Sequence, residues 1–458
     1  MDVLCLILVG MMVRSALGGG YQIRITPGIQ LSMDSWVRLL VWVSALLVIR
    51  HLAWRVVPWH ARVFGWARRA LTHETFGATW PVFLLSRTLV LIVGYMAVQA
   101  IGFNPRPPWP DDGNPFIDLH ARWDAGWYLR IAREGYPSTF NPEQASPIAF
   151  FPGLPLLTNV IAVLLELDRL SAAVVLVTCA FFWALTYVYR LGREMLTADQ
   201  ALTSILLLVF YPFAVAYSAV LTESLFLLTA AGAFYHFRRS QLVKAGMFGV
   251  LAGLVRPNGF LLCVPLGLLA LLPLLTRGDT RLRDGEGGIR WASVAAHLGT
   301  ASLPVIGMLI YAAHIHALTG DGFAWMKAQQ AWGRGTTVGI DMAAERLGLI
   351  QTQGLPAYFR HYPVELLEAV AAFFGLAAVW PITRRFGLAY GAFVGMAILP
   401  PLITMGSVSL GRYTAPLFPL FFWLAAAIPP SHRPYWLAAF ATGQALVAVL
   451  FYTWRPPY

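Results

Sequence analysis

The feature that most constrains this chain is a series of apolar stretches that recur along its length, each close to the 20 residues that an α-helix needs to cross a bilayer. Of the 458 residues, 58% are hydrophobic and only 12% are charged. A soluble domain has about 25% charged residues. The sequence therefore excludes a soluble globule, a coiled coil and a disordered chain. It predicts an all-α, polytopic membrane protein with about 12–13 transmembrane helices.

Two long polar interruptions, at 102–147 and 314–362, divide the apolar stretches. We predict N-terminal membrane segments at 1–78, a transmembrane module at 79–276 that contains the first interruption, and a C-terminal module at 277–458 that contains the second. Juxtamembrane helices are expected in both interruptions. The predicted spans are 36–53, 79–101, 170–189, 201–217, 222–237, 245–258, 259–276, 291–313, 363–381, 386–405, 413–428 and 434–453.

The placement of basic residues predicts the orientation of the chain in the membrane. The net charge of +11 is explained by cationic cytoplasmic loops rather than by nucleic-acid binding. Arg190 with Arg193, and Arg384 with Arg385, mark such loops, whereas 102–147 has six acidic residues and four arginines and is assigned to the outside. This alternation requires the apolar segment 148–166 to dip into or lie along the outer leaflet. The loop 314–362 and the junctions at 217–222, 256–259 and 406–413 then also lie outside.

Four polar motifs interrupt apolar sequence at positions that this topology assigns to the outer face. Ionisable residues in or near spans are energetically costly, and they indicate function by default. Four of them on one face predict a single site. The motifs are Arg122-Trp-Asp124, Thr222-Glu223-Ser224, Arg256-Pro-Asn258-Gly259 and Gly411-Arg412-Tyr413.

Each charged residue of these motifs has a structural and a functional interpretation. Asp124 either caps a short amphipathic helix over 125–134 or acts as a general base. Glu223 either stabilises the first turn of a helix or binds sugar hydroxyls. Arg256 precedes a Pro-Asn-Gly turn that predicts a broken helix beside a cavity, where the arginine pairs with Glu223 or binds a lipid phosphate. Arg412 likewise pairs with Glu223 or binds a lipid phosphate, or its side chain reaches to lipid headgroups.

The second polar interruption contains an aromatic stretch, 323–334. It either lies on the membrane interface or forms a stacking surface or lid over the site. His314, His316 and His361 lack a metal-ligand pattern, and the chain has neither a P-loop nor a Rossmann fingerprint. We therefore predict no metal and no cofactor.

The motifs together resemble a known family. The stretches RWDAGWYLRIAREGYP, AFFPGLPLL, FYPFAVAYSAVLTESLFLL and AGLVRPNGFLL are similar, in this order, to the PIG-V family, whose eukaryotic member is the second mannosyltransferase of glycosylphosphatidylinositol-anchor synthesis. The resemblance extends over about 79–276, with a weaker similarity in GRYTAPLFPLFFWLA. It implies a GT-C fold, a lipid-phosphate sugar donor and a catalytic acid in the first extracytoplasmic loop, which by motif is Asp124.

These inferences combine into one functional prediction. We expect an inverting mannosyltransferase of a bacterial plasma membrane that transfers mannose from a polyprenyl-phosphate donor to a lipid or glycan acceptor at the extracytoplasmic face. Asp124 is the predicted general base, and Arg256 and Arg412 are predicted to bind the donor phosphate. The alternative is a lipid or sugar transporter or flippase. The predicted substrate-binding residues are Arg122, Trp127, Glu223, Asn258 and Tyr413.

Overall fold

A computed structural model describes residues 21–26, 29–33, 36–53, 65, 73–103, 114–275, 288–335, 338–406 and 409–455. The chain divides into two compact units, 1–77 and 78–458. In the first unit, strands β1 (Tyr21–Thr26) and β2 (Ile29–Met33) form an antiparallel hairpin, and helix α1 (Trp36–Ala53) follows. The hairpin was not predicted, and much of the predicted N-terminal membrane segment lies outside the described residues. The division into three parts remains a prediction.

The rest of the described chain is mainly helical, and helices occupy most of each of the other predicted spans. The α-helices are α2 (Glu74–Ile101), α3 (Pro115–Asp118), α4 (Ala125–Glu134), α5 (Gly153–Leu165), α6 (Arg169–Arg193), α7 (Ala198–Phe210), α8 (Glu223–Arg238), α9 (Leu242–Val255), α10 (Cys263–Leu275), α11 (Trp291–Thr319), α12 (Ala324–Lys327), α13 (Val338–Gln353), α14 (Leu355–His361), α15 (Pro363–Phe386), α16 (Leu388–Met405), α17 (Leu410–Thr414), α18 (Phe418–Ala427) and α19 (Arg433–Tyr452). Short 3₁₀ helices occupy Pro147–Ala149, Pro212–Ser218, Gly259–Leu262, Ala328–Trp332 and Pro430–His432.

The all-α, multi-pass prediction is confirmed for this part of the chain. Five described helices are long and apolar enough to cross a bilayer, and a bent pair, 198–210 with 212–218, makes a sixth if it is one span. Shorter apolar helices of 10 to 17 residues occupy several of the other predicted spans. The prediction of 12–13 crossings included apolar runs shorter than 20 residues. About 20 helical residues are needed to cross a bilayer core of about 30 Å.

Helix α5 corresponds to the apolar segment that the topology placed along the outer leaflet. Its 13 residues extend about 20 Å, which is less than the thickness of the bilayer core. A Cβ on Gly153, at its start, would lie 2.9 Å from the carbonyl oxygen of Leu254, so α5 packs tightly against the end of α9. Beyond its other end, Arg169 donates a hydrogen bond to the carbonyl of Ala132 in α4. The short helix thus runs beside α4, and its position along the outer leaflet stays a prediction.

Helices α9 and α11 approach each other closely through glycines. A Cβ on Gly253 would lie 2.0 Å from the carbonyl oxygen of Pro304, and one on Gly307 would lie 2.1 Å from that of Val250. Small residues permit such backbone contact between membrane helices. The contact fixes the end of α9, which is followed immediately by Arg256.

A buried arginine, Arg87, stabilises the bend between α7 and the 3₁₀ helix that follows it. The chain turns by 79° between 198–210 and 212–218, because Pro212 cannot continue the hydrogen-bond ladder of α7. Arg87 of α2 donates to the carbonyls of Val209 and Ala214 and to the hydroxyl of Ser218. The guanidinium thereby supplies donors to backbone carbonyls at the break, and Gln444 donates to the carbonyl of Val209 as well. This turn leads the chain to Glu223.

Candidate active site

The site begins at the turn before α4. Trp123 has a left-handed backbone with φ of 57°, which is costly for a bulky residue, by about 1–3 kcal/mol. Its indole nitrogen donates a 3.1 Å hydrogen bond to the carbonyl of Phe451, which stabilises this conformation. Asp124 stands at the N-cap position of α4 as predicted, but its carboxylate makes no capping hydrogen bond. The side chain is therefore available to the cavity beside α4.

Glu223 is the buried centre of an ion-pair cluster. It is the first residue of α8, and its side chain is completely buried. Its Oε1 accepts a hydrogen bond from Arg412 Nε at 3.1 Å and lies 3.5 Å from Arg256 Nη2. The predicted pairing of Arg256 with Glu223 is thus present. Glu223 does not itself line the cavity, and it contacts two arginines that do.

Arg256 lies at the break between α9 and the following 3₁₀ helix. The predicted broken helix is confirmed: α9 ends at Val255, and Arg256 is extended, as a residue before proline prefers to be. The guanidinium lies 4.4 Å above the ring of Tyr413 and 5.4 Å from that of Phe226. Nη1 is buried without a hydrogen-bond partner among the described residues.

Arg412 connects Glu223 to Asp124. From α17, its Nη1 lies 3.0 Å from Asp124 Oδ2, while its Nε bonds Glu223. The arginine side chain is 8% exposed and that of Asp124 is 35% exposed. The chain of contacts therefore runs from a buried carboxylate through a guanidinium to a carboxylate at the cavity surface. Because Arg256 also contacts Glu223, the structure brings all four predicted motifs together here, with Thr222 and Tyr413 among the lining residues.

A second buried carboxylate, which the sequence analysis missed, positions α17. Glu368 of α15 is completely buried, and its Oε2 accepts a hydrogen bond from the backbone nitrogen of Leu410, the first residue of α17. At the end of α17, the hydroxyls of Thr414 and Tyr211 are 2.7 Å apart. An acidic residue within an apolar run is the signal that could have identified Glu368.

The cluster opens into a cavity. The aromatic stretch of the second interruption forms part of its lining, through Gln329, Trp332 and Arg334, so this stretch contacts the site rather than only the membrane interface. Gln329 donates to the carbonyl of Ala149, which joins this stretch to the segment that follows the first polar interruption. The lining consists of Asp124, Tyr128, Ala149, Phe150, Thr222, Arg256, Pro257, Gln329, Trp332, Arg334, Ser409, Arg412 and Tyr413.

Tyr128 supplies a hydroxyl to this lining from the first turn of α4. Burial raises the pKa of Tyr128 above its usual value, and the charges of Asp124 and Glu223 raise it further. The phenol therefore stays protonated at neutral pH. It can donate to, or accept from, a hydroxylated ligand.

Besides Glu223, three other predicted substrate-binding residues do not line the cavity. Arg122 is buried, donates to the carbonyl of Tyr452 at the end of the C-terminal helix and lies over the ring of Trp454. Trp127 lies behind the wall, stacked on Phe150. Asn258 is part of the turn that ends at the Gly259–Leu262 helix. Neighbouring residues of a turn point in different directions, which the motifs alone do not reveal.

The described residues contain no group of three or more His, Cys, Asp or Glu side chains able to hold a metal ion. The groups gathered in the cavity include a carboxylate, three guanidiniums, two phenols and aromatic rings. This set suits an anionic, hydroxylated ligand, because arginine binds phosphate and carboxylate oxygens through paired hydrogen bonds.

Comparison with known proteins identifies the class of protein to which part of the chain is similar. Residues 114–269 match the family model of mannosyltransferase PIG-V. The predicted resemblance is thus confirmed over the segment that contains Asp124, Glu223 and Arg256, whereas Arg412 and Arg334 lie outside it. The match supports glycosyltransferase activity, and the apolar helices are those of an integral, multi-pass membrane protein. None of the curated proteins matches the chain.

Solved structures similar to the chain include oligosaccharyltransferases of Archaeoglobus fulgidus. The apo form shares 13% identity at a TM-score of 0.38 and is matched over 81% of this chain and 56% of its own. The enzyme AglB in complex with an inhibitory peptide and a dolichol-phosphate shares 14% identity at a TM-score of 0.40, over 84% of this chain and 56% of its own. The chain thus spans a little over half the length of these structures.

Proposed function

We propose that the protein is a GT-C glycosyltransferase that transfers a mannosyl residue from a polyprenyl-phosphate donor to a lipid or glycan acceptor. The observation that supports this most is the position of Asp124. Its partly exposed carboxylate lies at the surface of an arginine-rich cavity, within the segment similar to PIG-V. A base beside cationic groups is the arrangement that transfer from a sugar phosphate requires.

The reaction needs a single base. Asp124 accepts the proton of the acceptor hydroxyl while that oxygen forms a bond to the anomeric carbon of the donor sugar. The bond from the same carbon to the phosphate oxygen breaks, and polyprenyl phosphate leaves with the bonding electrons. Because the acceptor attacks opposite the leaving group, the configuration at the anomeric carbon inverts. The phosphate leaves as an anion without needing a proton.

Arg256 and Arg412 are proposed to stabilise the departing phosphate. Both guanidiniums line the cavity, and Nη1 of Arg256 has no described partner. Positive groups already in place where charge develops lower the barrier without reorganising. Glu223, buried between the two arginines, fixes their positions. Tyr128, Tyr413 and the neighbouring aromatic rings offer contacts to the sugar.

The test is transfer of radiolabelled mannose from a synthetic short-chain polyprenyl-phosphate mannose to a membrane lipid extract by the purified chain. Asp124→Asn should lower kcat by about 10²–10⁴-fold, the usual contribution of a general base. Glu134→Gln is the matched control, because this exposed carboxylate lies on the same helix and pairs only with Arg130 among the described residues. Wild-type turnover in Asp124→Asn would exclude Asp124 as the base.

Two further measurements test the remaining parts of the proposal. The product should have the anomeric configuration opposite to that of the donor, as determined by NMR. A reporter inserted at residue 143 should read extracytoplasmic, and one at residue 195 cytoplasmic. Uptake or flipping of a lipid-linked sugar in vesicles without any glycosyl transfer would favour the transporter alternative.

A further inference from the structure

The three arginines that line the cavity differ in how their charges are balanced. Arg412 contacts the carboxylates of Asp124 and Glu223, and Arg256 lies 3.5 Å from that of Glu223. Arg334 instead donates to the side-chain oxygen of Gln329, a neutral amide. None of the carboxylates that the structure describes pairs with it. Arg334 is therefore the arginine, among the described lining residues, whose positive charge is not balanced by a neighbouring carboxylate.

The wall that bears Arg334 is held in position from several sides. The amide nitrogen of Gln329 donates to the carbonyl of Ala149 at 3.1 Å, and the ring of Trp332 packs edge-on against Phe150. Just after Arg334, the backbone nitrogen of Gly335 donates to the carbonyl of Thr404 at 3.0 Å. A side chain on such a fixed wall loses less conformational freedom when it binds a ligand.

We propose that Arg334 binds the phosphoryl group of the lipid-linked substrate, an inference that rests on the proposed function. Paired N–H donors of a guanidinium match two phosphate oxygens. Arg334 and Nη1 of Arg256 are the donors with capacity to spare, whereas Arg412 is occupied by two carboxylates and orients Asp124. Arg412 therefore positions the base and adds its charge near the departing phosphate, and Arg334 takes the largest share of phosphate binding.

Dodecyl phosphate, a phosphomonoester with an alkyl tail, is the probe, and its binding to the full chain in a neutral detergent is measured by calorimetry. Dodecanol, which lacks the phosphate, should bind at least tenfold more weakly. Arg334→Gln should weaken dodecyl phosphate binding about ten- to hundredfold, the loss expected for a hydrogen bond to a charged group. Arg334→Lys retains the charge and should recover part of the affinity. Arg130→Gln, which removes an exposed arginine outside the lining, should bind as wild type.

Several results would overturn the inference. These are no binding of dodecyl phosphate by the wild type, unchanged binding by Arg334→Gln, or an equal loss in Arg130→Gln. Phosphatidylglycerol added at the same concentration distinguishes a general headgroup contact, because displacement of the probe by it would mean that Arg334 recognises any lipid phosphate. Thermal unfolding of each variant separates lost binding from lost fold, and Arg334→Lys tests the charge if Arg334→Gln unfolds.

This experiment is independent of the test of the proposed function. If Asp124→Asn abolishes transfer while Arg334→Gln binds the probe normally, only the role of Arg334 fails. If Asp124→Asn transfers normally while Arg334→Gln loses the probe, the role of Asp124 fails and phosphate binding stands.

Discussion

Arg412 Nη1 lies 3.0 Å from Oδ2 of Asp124, although the two residues are 288 positions apart in the chain. The same guanidinium bonds the buried Glu223 through Nε. A carboxylate at the cavity surface is thus oriented by a group that is itself fixed in the interior. This arrangement gives Asp124 one preferred position relative to a bound substrate, which is what a general base needs.

The double contact of Arg412 predicts that lysine cannot replace it. A lysine ammonium is a compact charge without the planar fork that reaches both carboxylates. Arg412→Lys should lower kcat of glycosyl transfer by about 10²-fold through misplacement of Asp124. The control is Arg433→Lys, which alters a pair with the exposed Asp199. Steady-state kinetics with a wild-type kcat for Arg412→Lys would show that the contact does not orient the base.

Substitution of Glu223 should lower the stability of the fold and not only the rate of catalysis. Glu223→Gln removes the buried charge between Arg256 and Arg412, and breaking a buried pair in this way costs about 3–5 kcal/mol. Glu194 is the matched control, because it also contacts two arginines but is 20% exposed. Glu194→Gln should cost no more than about 1 kcal/mol, as surface pairs do. Thermal unfolding in detergent compares the two, and equal losses would contradict the importance of burial.

Arg122 should behave as a structural residue. Its hydrogen bond to Tyr452 and its contact with Trp454 hold α19 against the turn that contains Trp123. Arg122→Gln should lower the unfolding temperature, while kcat of the folded protein stays within about threefold of wild type. A tenfold or larger loss of kcat with an unchanged unfolding temperature would instead indicate that Arg122 takes part in substrate binding or catalysis.

His120 makes the fold sensitive to acid. Its Nδ1 bonds the carbonyl of Ser218, and burial lowers the pKa of His120 below its usual value, with Arg122 and Arg87 adding to the effect. The folded protein thus favours the neutral ring, whereas the unfolded chain takes up a proton near a pH of about 6.5. The stabilisation is present above that pH and is lost as the pH falls below it. The unfolding temperature should fall less between about pH 7.5 and about pH 5.5 in His120→Asn, and an identical fall would assign the acid sensitivity to other groups.

Glu368 should act through α17. Glu368→Gln retains an oxygen that accepts from the backbone of Leu410, whereas Glu368→Ala leaves that nitrogen without its side-chain acceptor, at a cost of about 1–3 kcal/mol. Glu368→Ala should therefore lower kcat by displacing Arg412, and Glu368→Gln should recover most of the loss. If both variants lose activity equally, the charge of Glu368 matters rather than its hydrogen bond.

The sequence by itself determined the class of fold. Apolar runs near 20 residues with little charge predict helices in a membrane. In lipid, a segment that is not part of a closed barrel can hydrogen-bond all of its own backbone N–H and C=O groups only as an α-helix. The helix over 125–134 and the break after Val255 also followed from local rules, because capping and proline sterics act over a few residues. Whether each apolar run is long enough to cross depended on breaks that hydrophobicity alone does not locate.

Only the tertiary structure decided the composition of the site. The motifs predicted that Asp124, Glu223 and two arginines would meet, but not that Arg412 would bridge the acids or that Glu223 would be completely buried. Arg122 does not line the cavity, whereas Arg334 of the second polar interruption does. Contacts between residues hundreds of positions apart depend on how helices pack, and burial, rather than residue type, decides which charges a ligand can reach.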